Sequence, residues 1–186
     1  MDYVWLFGGG AAIVGTVAWV THSRLMALDE RCNTAFADVD VQLKHRHDLI
    51  PGLVETVRGF AGHELTALTE VTRARANALR ATGPETRLEA ETQVGQTIQC
   101  LLSIVERYPE IQASAHFRDL RMELADAENR ITAARRFYNL AVDEFNATLR
   151  QFPGNLIGSA VRLSRRKPFD LGVERVLLDE PVTIRF

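Results

Sequence analysis

The chain has 186 residues, 46% hydrophobic and 25% charged, with a formal net charge of −2. That is enough apolar material for one domain with a buried core plus an appendage. The near-neutral balance argues against a dedicated nucleic-acid binder, which presents a strongly basic face. The two cysteines, Cys32 and Cys100, form neither a CxxC pair nor a zinc spacing. They read as small core-facing residues, and a disulfide between them stays open until the compartment is known.

Met1–Val20 carries a single charge, Asp2. Its run YVWLFGGGAAIVGTVAWV, 18 residues from Tyr3 to Val20, is at the short end of what crosses a hydrocarbon core. Trp5 and Trp19 stand near its two ends, where interfacial aromatics belong, and its four glycines are more at home in a membrane helix than in a soluble one. A secretory signal peptide is the alternative, but the run lacks a basic leader and a small-x-small cleavage site before His22; a buried core helix is the third reading. His22, Arg24 and Arg31 follow the run and no lysine or arginine precedes it, which orients the N-terminus outside and the bulk of the chain in the cytoplasm.

From about Arg24 to Ala81 the pattern is helical with a seven-residue beat. One seam reads Cys32, Val39, Arg46, Leu53, Phe60 and the other Phe36, Leu43, Ile50, Val57, Glu64. Pro51 interrupts it, removing a helical hydrogen bond, and predicts a kink or break at Asp48–Pro51. Ala81–Glu85 is a turn, with Pro84 preset to open the next helix. That helix runs to about Arg107 and buries Leu88, Gly95, Ile98, Leu101, Leu102 and Val105. After Tyr108-Pro109 a last long helix is expected from Glu110 to Gln151. Its main seam is Phe117, Leu124, Ile131, Tyr138, Phe145, Phe152, flanked by Arg121, Glu128, Arg135, Val142, Leu149. A short helix to Ser164 and an irregular tail follow, with two short extended pieces at Val176–Leu178 and Val182–Ile184.

The chemistry-bearing motifs are mostly absent. His63-Glu64-Leu65 starts like HExxH, but Ala67 stands where the second histidine belongs. His45 and His47 are two apart and point to different faces of a helix, so they do not chelate one metal. No catalytic residues, cofactor site or metal site are expected, and the chain reads as a non-enzyme. What remains is a polar network on the seams: Arg46, Asp48, Arg121, Glu128, Asn129 and Arg135, with Asn139 and Asn146 on adjoining positions. A buried charge without a partner is expensive, so Glu128 is expected to pair with Arg46 or Arg135. The network reads either as a register-fixing set of interhelical contacts or as a peptide or small-molecule site near Pro51. The basic cluster Arg162, Arg165, Arg166, Lys167 is a candidate membrane-surface contact, with a solvated bundle end as the plainer reading.

The stretches VDVQLKHRHDLIPGLVETVRGFAGHE (Val39–Glu64) and ENRITAARRFYNLAVDEFNATLRQFPGN (Glu128–Asn155) resemble the LemA family, as do YPEIQASAHFRDLRMEL (Tyr108–Leu124) and the closing PVTIRF. The resemblance covers essentially the whole chain. It implies a membrane segment followed by a cytoplasmic helical domain, no catalytic activity, and an accessory or adaptor role beside membrane proteases or TPM-domain membrane proteins. One departure is Phe169-Asp170, where the family usually carries an aromatic pair. The expected fold is all-α: an antiparallel up-and-down bundle of three to four long helices preceded by an N-terminal transmembrane helix. The anchor is 1–23, the cytoplasmic bundle 24–164 and the tail 165–186. The expected function is a scaffold or adaptor for other membrane proteins in the cell inner membrane, with a sensor that binds a ligand in the polar layer as the alternative. The lipid bilayer, met through residues 1–23, and other membrane proteins are the expected partners.

Overall fold

The computed structural model describes residues 2–60, 65–82 and 84–169, and these are all-α, with no strand among the described residues. In chain order the helices are α1 (Asp2–Phe60), α2 (Leu65–Arg80), α3 (Pro84–Val105), α4 (Pro109–Ala113), α5 (Ala115–Arg150) and α6 (Gly154–Ala160).

The 59-residue helix α1 begins inside the apolar run and continues through the heptad seams without interruption. Apart from Ala11, whose side chain is outside the description, every position from Gly8 to Val20 is exposed. By length and composition α1 holds a stretch able to cross a membrane. Burial then starts at Leu25 and proceeds through Leu28, Cys32, Ala35, Val39, Leu43, Arg46, Ile50, Leu53 and Val57, in the three-and-four rhythm that keeps one face turned to a partner. Phe60, expected on this seam, is exposed. Glu64, Trp5 and the two extended pieces of the tail lie outside the described residues or side chains.

Of the kink or break expected at Asp48–Pro51, the break is absent: α1 continues as one helix through Pro51. Pro51 has no N–H for the carbonyl of His47, four residues back. Arg75 of α2 donates its Nε–H to that oxygen at 2.8 Å, so the orphaned acceptor is satisfied from a neighbouring helix. The single pattern read from Arg24 to Ala81 is carried by two described helices, one continuing past the proline to Phe60 and the next beginning at Leu65. The expected last helix is also divided. Ser114 adopts extended geometry between α4 and α5, and its Oγ accepts from the N–H of Phe117, the N-cap role for which serine is suited. Phe152 falls beyond the end of α5 and is 79% exposed, so the main seam of that helix ends at Phe145.

The chain forms two compact units, Met1–Asp38 with Ala134–Phe186, and Val39–Ala133. The second has a continuous apolar core of Ile50, Leu53 and Val57 from α1, Leu68 and Val71 from α2, Val94, Ile98 and Leu101 from α3, Ile111, and Phe117 and Leu124 from α5. In the first, Leu25, Cys32, Tyr138, Val142, Phe145 and Phe169 are among the buried residues. The expected Cys32 and Cys100 core positions split: Cys32 is buried, Cys100 is exposed, and both are free thiols.

Candidate functional site

In the Val39–Ala133 unit the heptad rhythm carries Arg46 into the core, where it is 1% exposed. On α3 the seam Val94, Ile98, Leu101, Val105 extends one step back to Glu91, also 1% exposed. The two meet: Arg46 Nη2 lies 2.7 Å from Glu91 Oε2 and also donates to the Glu91 carbonyl at 3.0 Å. Arg46 Nη1 bonds Glu128 Oε2 at 2.8 Å. His47, 3% exposed, places Nε2 2.9 Å from the other Glu91 oxygen. An ionised carboxylate only accepts, so this histidine nitrogen carries the proton. Burial works against the Glu91 carboxylate, but the His47 hydrogen bond and the His47 and Arg46 charges outweigh it and hold the group below the usual carboxylate range. A second link between α1 and α3 is the two-pronged pair of Arg87 with Asp40, at 3.1 and 3.2 Å.

Of the residues singled out by sequence, the structure brings Arg46 and Glu128 together and leaves the others elsewhere. Asp48 is exposed and pairs with Lys44 one turn back, which lowers its carboxyl. Arg121 is exposed and borders a 10 Å³ cavity with Gln112 and Phe117. Asn129 is exposed. Arg135 belongs to the other unit, with its guanidinium 6.0 Å from the Phe169 ring centre. Sequence reasoning missed Glu91, His47 and Arg75. The periodicity of α3 was the signal for Glu91, since stepping back three from Val94 lands on it. An open groove of about 410 Å³ between α2 and α3, bordered by Glu70, Arg73, Asn77 and Glu89, lies apart from the buried network. Among the described residues no group of three or more His, Cys, Asp or Glu could hold a metal ion.

In the other unit the asparagines of α5 perform a different task. Asn139 donates to the Phe169 carbonyl at 2.9 Å and accepts from its N–H at 2.7 Å. Asn146 does the same for Arg166, at 2.8 and 3.1 Å. Seven helical residues rise about 10.5 Å, and three extended residues cover nearly the same distance, so two amides one heptad apart grip an extended segment at every third residue. Phe169 then stacks on Phe36 (5.8 Å, 3° between planes) and meets Tyr138 edge-on at 5.0 Å. Arg166 pairs with Asp29 at 2.8 Å and reaches Asn33 at 2.7 Å, so this member of the basic cluster is engaged within its own unit. Arg162, Arg165 and Lys167 are exposed.

Arg46, His47, Glu128, Asn139 and Asn146 lie in the stretches of the sequence resemblance, and the sequence model of the LemA family matches residues 35–186. The chain belongs to the LemA family. It is also similar to curated relatives named for the magnetosome. The magnetosome proteins MamQ 1 and MamQ 2 of Paramagnetospirillum magneticum are each 27% identical over 100 residues, which is 54% of this chain and 36% of the relative. MamQ of Magnetospirillum gryphiswaldense is 26% identical over 82 residues, 44% of this chain and 30% of the relative. The chain thus spans about a third of the length of these relatives.

Proposed function

We propose that this LemA family chain is a non-enzymatic single-pass inner-membrane protein whose cytoplasmic helical bundle is a scaffold or adaptor for other membrane proteins. The observation that carries this reading is the change of character along α1. Its start is apolar and exposed on every described face from Gly8 to Val20 except the undescribed Ala11, and the same helix then becomes a heptad seam from Leu25 onward. An exposed apolar surface on all sides of a helix is stable in lipid and not in water. The one hydroxyl in that stretch, Thr16, donates to the Ala12 carbonyl at 2.9 Å, the internal satisfaction that a bilayer demands.

The sensor reading receives less support. The Arg46 guanidinium is already divided between Glu91 and Glu128, so an anionic ligand would have to displace one of these carboxylates. The contacts favour a register-fixing role, in which one arginine on α1 has a single acceptable partner on α3. The adaptor surface must then be found among exposed residues, and Lys44, Glu55 and Arg58 present such a face on α1.

Two measurements test this. The chain should stay in the membrane fraction after alkaline carbonate washing. Purified from solubilised membranes, it should bring a specific membrane protein that is lost when Lys44, Glu55 and Arg58 are all changed to serine. Recovery of the chain alone, from membranes and at native levels, would remove the adaptor reading.

A further inference from the structure

The corner where α5 gives way to α6 is apolar, basic and exposed. Phe152 is 79% and Leu156 62% exposed. From Phe145 to Phe169 the sequence holds Arg150, Arg162, Arg165, Arg166 and Lys167 and no acid, and all of these except Arg166 are exposed. On α1, Arg24 faces solvent, and no acid occurs between the apolar run and Asp29.

The position of this corner follows from contacts within its own unit. Arg31 pairs with Glu144 at 2.8 Å and Phe36 meets Tyr138 at 5.7 Å, so α1 and α5 run antiparallel in a fixed register. Phe152 lies eight residues past Glu144, about 12 Å further along, and the same distance back from Arg31 reaches Ser23. Phe152 is therefore level with the point three residues after the apolar run ends at Val20. The helix α6 does not continue α5 but crosses its end. A Cβ at Gly154 would overlap the carbonyl oxygen of Thr148, which points along α5 toward its C-terminus, and one at Gly158 would overlap the Leu149 side chain. Leu156 lies midway between these glycines, on the opposite side of α6, and so faces away from the end of α5.

The end of α6 adds a separate sign. Arg162 has φ 57°, the left-handed conformation in which glycine is usual, and Leu163 N–H closes the turn on the Gly158 carbonyl at 2.9 Å. A charged side chain is held here at a backbone cost that glycine would avoid.

We propose that the α5–α6 corner is a second membrane contact. Phe152 and Leu156 enter the interfacial layer of the bilayer while Arg150, Arg162 and Arg165 meet anionic headgroups. The inference rests on the reading of the N-terminal segment as an anchor. Lipid is the occupant because the corner lies level with the end of an exposed apolar span and combines apolar tips with the basic stretch Phe145–Phe169, which holds no acid, the composition of an interfacial segment. It differs from a basic tail lying on the surface, since Arg166 is occupied by Asp29 and the apolar tips carry the insertion.

The test uses the full chain with Cys100→Ser, reconstituted in vesicles of phosphatidylcholine with phosphatidylglycerol, and a polarity-sensitive fluorophore at Leu156→Cys or at the control Leu140→Cys. Leu140 is also exposed but lies about 18 Å along α5 from Phe152. Quenching by lipids with a shallow nitroxide should be severalfold greater at position 156 than at 140. It should fall in pure phosphatidylcholine and in the double variant Arg162→Ser, Arg165→Ser. Equal quenching at the two positions, while the same shallow-nitroxide lipids still quench Trp5 and Trp19, would overturn this proposal and leave the anchor standing. If the tryptophans are not quenched either, both readings fail. Far-ultraviolet dichroism of each exposed-site variant guards against misfolding as the cause of a negative result.

Discussion

At the scale of single residues, the Arg46–Glu91–His47 cluster decides how the Val39–Ala133 unit responds to mutation and to pH. Both the Arg46 and Glu91 side chains are almost wholly buried. Removing one partner strands the other charge, so Glu91→Ala should cost about 3–5 kcal/mol in urea unfolding. A paired replacement, Arg46→Met with Glu91→Leu, should recover most of that loss because neither charge is then stranded. Glu128→Ala should cost about 1 kcal/mol or less, since its carboxylate is half-exposed and screened. The sign of the pH effect follows from the low position of Glu91. Its carboxyl is held below the ordinary value of 4.5 in the folded protein. The stability it contributes is complete above that value and is lost as the pH falls through the folded pKa, where the folded carboxylate also takes up its proton. Glu91→Gln should therefore flatten the acid limb of the stability profile, and an unchanged limb would show that other carboxylates control acid unfolding.

At the scale of elements, two repairs are measurable. In the first, Arg75 supplies the donor that Pro51 withholds from the His47 carbonyl. Arg75→Leu should cost about 1–3 kcal/mol in the native background, because it leaves a buried acceptor unpaired. With Pro51→Ala the helix supplies its own N–H, and the same change should cost markedly less. A double-mutant cycle without coupling would refute the repair. In the second, each of Asn139 and Asn146 holds the backbone of the 166–169 segment by two hydrogen bonds. Asn139→Ala should raise hydrogen exchange at the Phe169 amide selectively, and Asn146→Ala that at Arg166, each for a loss of about 1–3 kcal/mol. The helices themselves were legible because heptad spacing marks buried faces directly: Val39, Leu43, Ile50, Leu53, Val57, Leu124, Ile131 and Phe145 are all buried. Side-chain partners were less legible. Whether Arg46 meets Glu91 depends on the register of α3 against α1, which no local pattern encodes. The position of Pro51 pointed to a break because its missing N–H was counted, whereas Arg75, 24 residues on, was invisible as a donor. Asn139 and Asn146 looked like members of a polar belt between helices because a side-chain amide can serve either a helix or an extended backbone.

At the scale of the whole molecule, the proposed topology is tested by the two cysteines without mutation. Basic residues follow the apolar run, so the proposed topology has the helices after His22 in the cytoplasm. Cys100 is exposed on α3 and should react with a membrane-impermeant maleimide. Cys32 is shielded in the core, and burial pushes its thiol up, which depletes the reactive thiolate. In intact spheroplasts neither cysteine should be labelled, in inverted vesicles only Cys100, and after denaturation both. Labelling of Cys100 from outside would reverse the orientation, and labelling of Cys32 in the folded chain would mean that the helix face carrying Leu28, Cys32 and Ala35 is open. The expected pattern thus joins the charge asymmetry around one short apolar run to the heptad burial that begins five residues after it ends, two properties of the same helix α1.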